Sequence, residues 1–308
     1  MKKITDYDKV FETLVQKTQD YLVRNNLSAM VLGISGGIDS TVVASICREV
    51  SDSTGIPLIG RSLPTKFNKE GETTTADLVG KAFCDDYKVC PIQEMYEDFI
   101  LSVRNCEEKL GIWSGSDHQT PIANGNIQAR LRMIYLYNLA SIHGGLVMDT
   151  DNLTENNLGY FTIHGDVGDF NPIGGLWKIE VFKLAEYLID YYRMTGQIDK
   201  SIAMFNSWSL KPTAGLGITD SDLDEIGAES YEQVDSILQE ILAWKWLSLF
   251  SRGDRYDSIW DMRNAFLDEQ QMLDTPIKVI IAVTDRHFKS EFKREQLPIK
   301  ITRDEILL

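Results

Sequence analysis

The sequence is poor in cysteine and in positive charge, and it lacks a long hydrophobic run. None of its four cysteines forms C-x-x-C, so neither a zinc site nor a dithiol redox pair is indicated. Lys and Arg total 31 against 46 Asp and Glu, a net charge of −15, which argues against nonspecific nucleic-acid binding. No apolar run approaches the ~18 residues of a spanning helix. The N-terminus lacks the apolar segment of a signal peptide, so we expect a cytoplasmic protein without nucleic-acid or membrane partners.

Short apolar runs alternate with helical patterns through the first half of the chain. Strands are predicted over 29–35, 56–63, 87–92 and 145–149, and helices over 6–26, 39–51, 68–86, 94–110 and 121–143. This order predicts an α/β fold, an open, doubly wound, mostly parallel sheet with helices on both faces. Further helices are predicted over 178–195 and most of 221–272, loops over 111–120, 159–176 and 211–219, and a late strand or buried helix over 277–283. We expect one domain over 1–308, of which 240–308 is a mainly helical C-terminal extension.

A glycine-rich turn follows the first predicted strand. The strand Met30–Ile34 leads into Ser35-Gly36-Gly37-Ile38-Asp39-Ser40 and then into a helix. Such a turn binds anions, because its backbone N–H groups and the helix N-terminus both favour negative charge. Gly36 and Gly37 let the main chain approach an oxygen-rich ligand, both serines can donate hydrogen bonds, and Asp39 can hold a cation. The motif lacks the lysine of a P-loop. It resembles the PP-loop of the ATP pyrophosphatase superfamily, whose members cleave ATP between the α and β phosphates.

A second polar motif, Gly125-Asn-Ile-Gln-Ala-Arg-Leu-Arg-Met133, falls within the long predicted helix. Asn126 and Arg130 are four residues apart and therefore share one helix face, whereas Arg132 points elsewhere. An amide and a guanidinium so placed can bind a phosphate or a carboxylate. The alternative is a solvated basic helix face.

Two more charged positions lie after the fourth predicted strand. Glu155, about one turn into the next helix, is placed to share Mg²⁺ with Asp39, since Mg²⁺ prefers one or two carboxylates plus phosphate oxygens. A helix cap formed by Asp151 or Asn152 is the alternative, and both can hold together. Lys178 begins a helix, where its charge opposes the dipole, which favours a phosphate-binding role.

Taken together, the motifs resemble those of ammonia-dependent NAD synthetases from about residue 25 to 238. The matching elements, in the order of that family, are Ser-Gly-Gly-Ile-Asp-Ser, Gly-Asn-Ile-Gln-Ala-Arg-Leu-Arg-Met, Thr-Asp-Asn-x-x-Glu, Gly-Tyr-Phe-Thr, Gly-Asp-x-Gly-Asp, Pro-Ile-x-x-Leu-x-Lys and Pro-Thr-Ala-Gly-Leu. The resemblance implies adenylation of the nicotinate carboxylate of deamido-NAD by ATP, then attack by ammonia to give NAD and AMP. It also implies a homodimer, for which helix 121–143 and the aromatic C-terminal helices are plausible interface elements.

The resemblance assigns a role to each matched residue. Asp39, Lys178 and Thr213 would be catalytic, and Asp39 and Glu155 would hold Mg²⁺. ATP would contact Ser35, Gly36, Gly37, Asp39, Ser40, Thr150, Lys178 and Thr213. Deamido-NAD would contact Asn126, Arg130, Tyr160, Asp166 and Asp169. About 28 residues precede the PP-loop strand, too few for an amidase domain, so free ammonia is the expected nitrogen source unless a separate protein supplies it.

The chain departs from the family pattern at several positions. Ile163 stands where a lysine is common, Phe292 replaces a histidine, Arg61 is shifted by one residue, and Asp149 replaces a glycine. Adjacent strand positions face opposite ways, so Arg61 is not expected to restore the missing ATP contact. Two alternatives therefore stay open. One is a PP-loop amide ligase that acts on another carboxylate, and the other is a non-catalytic nucleotide-binding relative.

Overall fold

Four parallel strands form the central sheet of the computed structural model, which describes residues 3–110, 119–211, 222–270, 275–294 and 299–306. The strands are β1 (Met30–Gly33), β2 (Leu58–Ser62), β3 (Asp86–Val89) and β4 (Leu146–Val147), in the order β3-β2-β1-β4. In register, Met30 of β1 lies opposite Leu58 of β2 and Leu146 of β4. Two short strands, β5 (Phe170–Asn171) and β6 (Ile299–Lys300), pair in parallel, and a bridge from Met148 to Phe170 joins them to β4.

Helices surround the sheet and continue beyond it. They are α1 (Tyr7–Arg24), α2 (Ile38–Thr54), α3 (Glu70–Phe83), α4 (Gln93–Leu110), α5 (Gln119–His143), α6 (Leu153–Leu158), α7 (Lys178–Met194), α8 (Ile198–Ser209), α9 (Asp222–Ile226), α10 (Tyr231–Trp246), α11 (Ile259–Glu269), α12 (Ile277–Lys289), α13 (Glu291–Arg294) and α14 (Arg303–Ile306). A π-helical turn, Leu247–Arg252, follows α10. None of the described helices is long and apolar enough to cross a membrane.

Alternate residues of β1 point to opposite faces of the sheet and so enter different cores. Met30 and Leu32 pack with side chains of α1, α2, α3, α7 and α8, while Val31 packs with α4 and α5. The predicted doubly wound parallel sheet with helices on both faces is therefore confirmed. A third core joins α10, α11 and α12 to Trp177 and Leu158, beside the sheet domain.

The structure decides one open prediction and differs from two others. Residues 277–283, predicted as a late strand or a buried helix, belong to helix α12, whose buried Val279, Ile280 and Val283 recur at helical spacing. The predicted loop over 159–176 contains β5, and β6 was not predicted, because a two-residue strand carries too little periodicity to be recognised. Of the predicted loop 111–120, only 119–120 is described, and it begins α5.

Candidate active site

The Ser35–Ser40 turn connects β1 to α2 at the carboxyl end of the sheet, where parallel α/β folds bind ligands. Gly36 has φ of 85°, and a Cβ there would lie 2.4 Å from the carbonyl oxygen of Glu72, so only glycine fits. The hydroxyls of Ser35 and Ser40 share a hydrogen bond of 3.0 Å, and the backbone N–H of Gly37 donates to Ser35 Oγ. Gly37 precedes α2 without a capping side chain, so the N–H groups at the start of this helix have no side-chain cap and can bind an anion.

Lys178 links two acidic side chains at this turn. It is the first residue of α7, as predicted, and it is only 2% exposed. Its Nζ lies 2.5 Å from Asp39 Oδ2 and 2.9 Å from Glu155 Oε1. Burial lowers the pKa of Lys178, but attraction by Asp39 and Glu155 outweighs it and holds the pKa well above the ordinary value. The carboxylates of Asp39 and Glu155 therefore offset the unfavourable interaction between the Lys178 charge and the helix dipole, which the sequence had indicated.

The same two carboxylates have the chemistry of a magnesium site. Asp39 and Glu155 both reach the Lys178 ammonium, so a single cation can lie within reach of both. Burial, and after it the charge of Asp39, raises the pKa of Glu155 to about 7, and a cation beside the two carboxylates would favour their ionised forms. The described residues contain no cluster of three or more His, Cys, Asp or Glu able to hold a metal. Mg²⁺ would accordingly need phosphate oxygens as further ligands, as it prefers.

The capping alternative for this helix also holds. Asn152 caps α6 by accepting from the N–H groups of Thr154 and Glu155. Its own Nδ2 donates to Asp39 Oδ1 at 2.9 Å, while its backbone N–H donates to Glu155 Oε2. Asn152 thus caps the helix and orients both candidate metal ligands.

A cavity of about 510 Å³ extends from the turn to the loop after α6. The predicted ATP contacts that line it include Ser35, Gly37, Asp39, Ser40, Thr150 and Lys178. Thr213, also predicted to contact ATP, lies outside the described residues. Of the predicted acceptor contacts, Asn126, Tyr160 and Asp166 line the cavity.

Asn126 and Arg130 share a helix face, as predicted, and both contact the loop after α6. Asn126 Oδ1 accepts from Thr162 Oγ1 at 2.8 Å. The exposed Arg130 donates to the carbonyl oxygen of Ile163 at 3.3 Å and is not among the side chains of the cavity wall. Arg132, expected to point elsewhere, does line the cavity and donates to the carbonyl oxygen of Leu63 at 3.1 Å. Arg130 and Arg132 therefore contact different segments of the chain, and Arg132 is the one of the two that lines the cavity.

Two predicted acidic residues have different surroundings. Asp166 lines the cavity and accepts from the N–H of Thr162 at 2.6 Å, and burial raises its pKa to about 7. Asp169 is exposed, outside the cavity wall, and accepts from the N–H of Val147 at 2.9 Å, which ties the loop to β4. Arg61 lines the cavity, but its guanidinium donates to Asp86 Oδ2 at 2.7 Å.

Asp235 of α10 is a buried residue at this site to which the sequence assigned no role. Its carboxylate accepts from Thr154 Oγ1 and from the N–H of Ile179, at 3.1 Å for the latter. Thr154 Oγ1 in turn accepts from the N–H of Lys178 at 2.8 Å. Asp235 therefore fixes the first turn of α7 and with it Lys178. The sequence signal that could have found Asp235 is its spacing from Tyr231, which places both residues on one helix face. In the structure, the Tyr231 ring lies 5.6 Å from Lys178 Nζ.

A glycine-rich turn between a parallel strand and a helix, with a lysine and two carboxylates beside it, defines a nucleotide-binding α/β protein of the PP-loop class. The chain belongs to the NAD synthase family, whose model matches residues 10–297.

Individual relatives agree with this family. The chain is 30% identical over 239 residues to the NH3-dependent NAD(+) synthetase of Campylobacter jejuni, covering 77% of this chain and 89% of that protein. It is 29% identical over 307 residues to the NH3-dependent NAD(+) synthetase of Pyrococcus horikoshii, covering 99% of both. Among solved structures, the NMN synthetase of Francisella tularensis is similar with a TM-score of 0.68 and 26% identity, over 94% of this chain and 97% of that one.

Proposed function

We propose that this chain is an ammonia-dependent NAD synthetase, which converts deamido-NAD, ATP and ammonia into NAD, AMP and pyrophosphate. The observation that carries the proposal is the convergence of the PP-loop turn, Asp39, Lys178 and Glu155 in one cavity with Tyr160 and Asp166. This cavity therefore offers a site for the ATP phosphates and space for a second substrate beside it. The names of the relatives from C. jejuni and P. horikoshii support this reaction.

In the first step, a nicotinate carboxylate oxygen attacks the α-phosphorus of ATP, and the bond from that phosphorus to the oxygen bridging the β-phosphate breaks. Pyrophosphate leaves with the electron pair, and an acyl adenylate forms. The Ser35–Ser40 turn would bind the departing phosphates through its N–H groups and hydroxyls, and Lys178 would offset their charge. No side chain has to form a covalent bond, so positioning and electrostatics supply the catalysis.

In the second step, ammonia attacks the carbonyl carbon of the acyl adenylate, and the bond to the AMP oxygen breaks. The nitrogen loses one proton as the amide forms, and ammonium must lose another before it attacks. Asp166 lines the cavity with a pKa of about 7, raised by burial, so its carboxylate is suited to take up a proton near neutral pH.

Mg²⁺ would be held by Asp39 and Glu155. When bound, it would neutralise charge on the phosphates during pyrophosphate departure. Asn152 would keep both carboxylates turned to it.

The decisive assay supplies purified protein with ATP, Mg²⁺, ammonium and deamido-NAD. NAD, AMP and pyrophosphate in equal amounts are the expected products. Nicotinate mononucleotide serves as a competing acceptor, because the similar F. tularensis structure is of an NMN synthetase. Preference for the mononucleotide would assign another acceptor. Formation of ADP, or ATP binding without turnover on either acceptor, would refute the proposal.

We also propose a homodimer that forms through α4 and α5. Exposed apolar side chains on these helices support this, namely Met95, Phe99, Leu101, Ile134, Tyr137 and Ile142. Several exposed apolar side chains on two helices that pack together are typical of protein interfaces. Light scattering on a sizing column tests it directly.

Three further proposals concern domain organisation, cellular location and nitrogen source. We propose that residues 1–308 unfold as one domain with 240–308 as its helical extension, since the α10–α12 core includes Trp177 from the sheet domain. A single thermal transition is expected. We propose a cytoplasmic location, supported by four free cysteines, and free ammonia as the nitrogen source. Cell fractionation and an assay with glutamine in place of ammonium test these two points.

A further inference from the structure

Asp151 has a carboxylate oxygen that is buried without a hydrogen-bond partner in the part of the chain that the structure describes. The residue follows β4, lines the cavity and is only 7% exposed, and the unpartnered oxygen is Oδ2. The hydrogen bonds that position Asp151 use its main chain. Its N–H donates to Asp149 Oδ1 at 2.7 Å, and its carbonyl oxygen accepts from Asn171 Nδ2 at 2.7 Å. A buried carboxylate in this state needs a proton or a cation.

The charges around Asp151 favour a cation. Burial, and after it the charges of nearby carboxylates, raises the pKa of Asp151 well above its ordinary value. In order of effect, these carboxylates belong to Asp149, Asp166, Glu155 and Asp39. One added positive charge at Asp151 would therefore interact favourably with the whole group.

Two lysines of this region bind other acceptors. The Lys178 ammonium contacts the two candidate magnesium ligands. Lys293 is attracted by the charge of Asp151, but its Nζ donates to the carbonyl oxygens of Gly159 and Phe161 at 2.8 and 2.6 Å. Within the described ranges, no lysine or arginine is paired with the carboxylate of Asp151.

We infer that Asp151 binds the ammonium ion that supplies the nitrogen of the product, with Asp166 as the acceptor of its proton. The inference rests on the proposed function, which makes ammonium a substrate. Ammonium has both a positive charge and N–H donors, so it satisfies the charge and the hydrogen-bonding capacity of the carboxylate. A metal ion suits the position less, because the described residues contain no group of three or more His, Cys, Asp or Glu able to hold one.

Asp151 lies between the candidate phosphate site and the loop that carries Asp166. On one side it follows Thr150, a residue of the cavity wall and a predicted ATP contact. On the other side it is bonded to Asp149, whose Oδ2 accepts from the N–H of Gly168 at 2.8 Å. Gly168 is two residues from Asp166. The buried carboxylate of Asp149 therefore fixes Asp151 relative to the loop of the proton acceptor.

Asp151 and Asp166 have different roles in this step. Asp151 holds the ammonium ion by charge and hydrogen bonding. One N–H bond of ammonium then breaks, its proton passes to the Asp166 carboxylate, and the electron pair stays on nitrogen. Burial raises the pKa of Asp166 to about 7, so this carboxylate accepts a proton more readily than an exposed aspartate does. The neutral ammonia attacks the carbonyl carbon of the acyl adenylate.

Steady-state kinetics of Asp151→Asn test the inference. Asparagine has nearly the same shape but no charge, so we expect the KM for ammonium to rise at least about 10-fold, the loss of one charged hydrogen-bonding pair. The KM values for ATP and deamido-NAD should stay within about 2-fold. Unchanged KM for ammonium, or an equal rise for all three substrates, would overturn the inference.

Asp77→Asn is the matched control for the loss of one carboxylate. Asp77 lies on α3, where it is paired with Lys81 at 2.6 Å, and it is not part of the cavity wall. Its variant should keep the KM values of the wild type for all three substrates.

Thermal unfolding measures cation binding without turnover, because a ligand that binds the folded protein raises the melting temperature. At equal ionic strength, ammonium chloride should raise the melting temperature of the wild type at least about 2 °C more than sodium or potassium chloride does. It should give Asp151→Asn no such advantage. Potassium carries the charge without N–H donors. Equal protection by potassium, or equal protection of both proteins by ammonium, would overturn the inference.

The variant should melt in sodium chloride at no lower temperature than the wild type, since the substitution removes no described side-chain hydrogen bond. The two measurements also separate this inference from the proposed function. If the wild type makes no NAD, but ammonium protects it and not Asp151→Asn, the proposed reaction fails and the ammonium site stands. If the wild type makes NAD from ammonium, and neither the KM nor the protection differs between the two proteins, only the ammonium site fails.

Discussion

The Nζ of Lys178 lies 2.5 Å from Oδ2 of Asp39, although 139 residues separate them in the chain. Glu155 contacts the same ammonium at 2.9 Å. Two carboxylates and one buried lysine carry a net negative charge. A metal cation that is also bound to phosphate would offset this charge. The ion pair also holds three elements together, the N-terminal ends of α2, α6 and α7, at the point where ATP phosphates would bind.

Asp39→Asn should abolish turnover while the protein stays folded. The amide keeps an oxygen to accept from Asn152 Nδ2 but loses the charge that would hold Mg²⁺. We expect kcat to fall by about 100-fold or more, the usual effect of removing one charged group from an electrostatic site. Magnesium titration of the residual activity and circular dichroism measure the two effects.

The control for that variant is Asp52→Asn, on the same helix. Its partner Arg48 lies 2.7 Å away near the end of α2, remote from the turn. Activity of Asp52→Asn should match the wild type. Full activity of Asp39→Asn with an unchanged magnesium requirement would contradict the metal role.

Gly36→Ala should damage ATP binding through a steric clash. The new Cβ would lie 2.4 Å from the carbonyl oxygen of Glu72 and 2.8 Å from the backbone nitrogen of Ala76. Both contacts are with main chain, so the turn itself must move. We expect the KM for ATP to rise about 10-fold or more, since small shifts in a phosphate-binding turn are costly.

Gly55→Ala separates that clash from backbone strain. Gly55 has φ of 75°, close to the 85° of Gly36, but a Cβ there meets nothing within 4 Å. Both variants should lose about 1 kcal/mol of unfolding free energy from the left-handed conformation. Only Gly36→Ala should lose ATP affinity, and equal ATP kinetics for the two variants would disprove the proposed role of the turn.

Local patterns predicted the parts of the site that lie within short segments. The Ser35–Ser40 turn follows directly from an apolar strand, two glycines and a helix start, and Lys178 was placed correctly at the first position of α7. The α/β order of the first 150 residues was equally predictable, because β-strands and amphipathic helices each have their own periodicity.

Such local patterns could not predict contacts between segments that are distant in the sequence. The Thr154–Asp235 bond spans 81 residues, and the strand pair β5–β6 joins two-residue segments. Arg286 lies in a helix that the sequence left open between strand and helix, so its place beside Tyr160 depended on packing that no local periodicity records.

Asp235→Asn should change the pH dependence of stability. Burial raises the pKa of Asp235 to about 7, so the folded state binds more protons than the unfolded state between about pH 4 and 7. This group's contribution to unfolding free energy therefore falls as pH rises through that window. Asparagine does not titrate, so relative to the wild type the variant should gain a few kcal/mol of unfolding free energy, on the order of 1.4 per pKa unit, as pH rises from about 4 to 7.

Urea unfolding at several pH values measures this difference, with Asp85→Asn as the contrast. Burial of Asp85 is outweighed by its bonds to Arg48 and to the N–H of Leu58, and its pKa is held below the usual value. Asp85 is then ionised in both states above about pH 5, so its variant should differ from the wild type by a constant amount up to about pH 8. A constant difference for Asp235→Asn as well would rule out a raised pKa at Asp235.

Ile134→Asp should convert the proposed dimer into monomers. Ile134 is 62% exposed on α5 and is one of the exposed apolar side chains that support the proposed interface. An unpaired carboxylate buried at an interface costs several kcal/mol, so we expect the dimer dissociation constant to rise at least about 100-fold. Ile202→Asp on α8, where Ile202 is 47% exposed, is the matched control and should leave the dimer intact. Light scattering across a dilution series compares the three proteins. If Ile134→Asp forms a dimer of unchanged affinity, the interface does not include this part of α5.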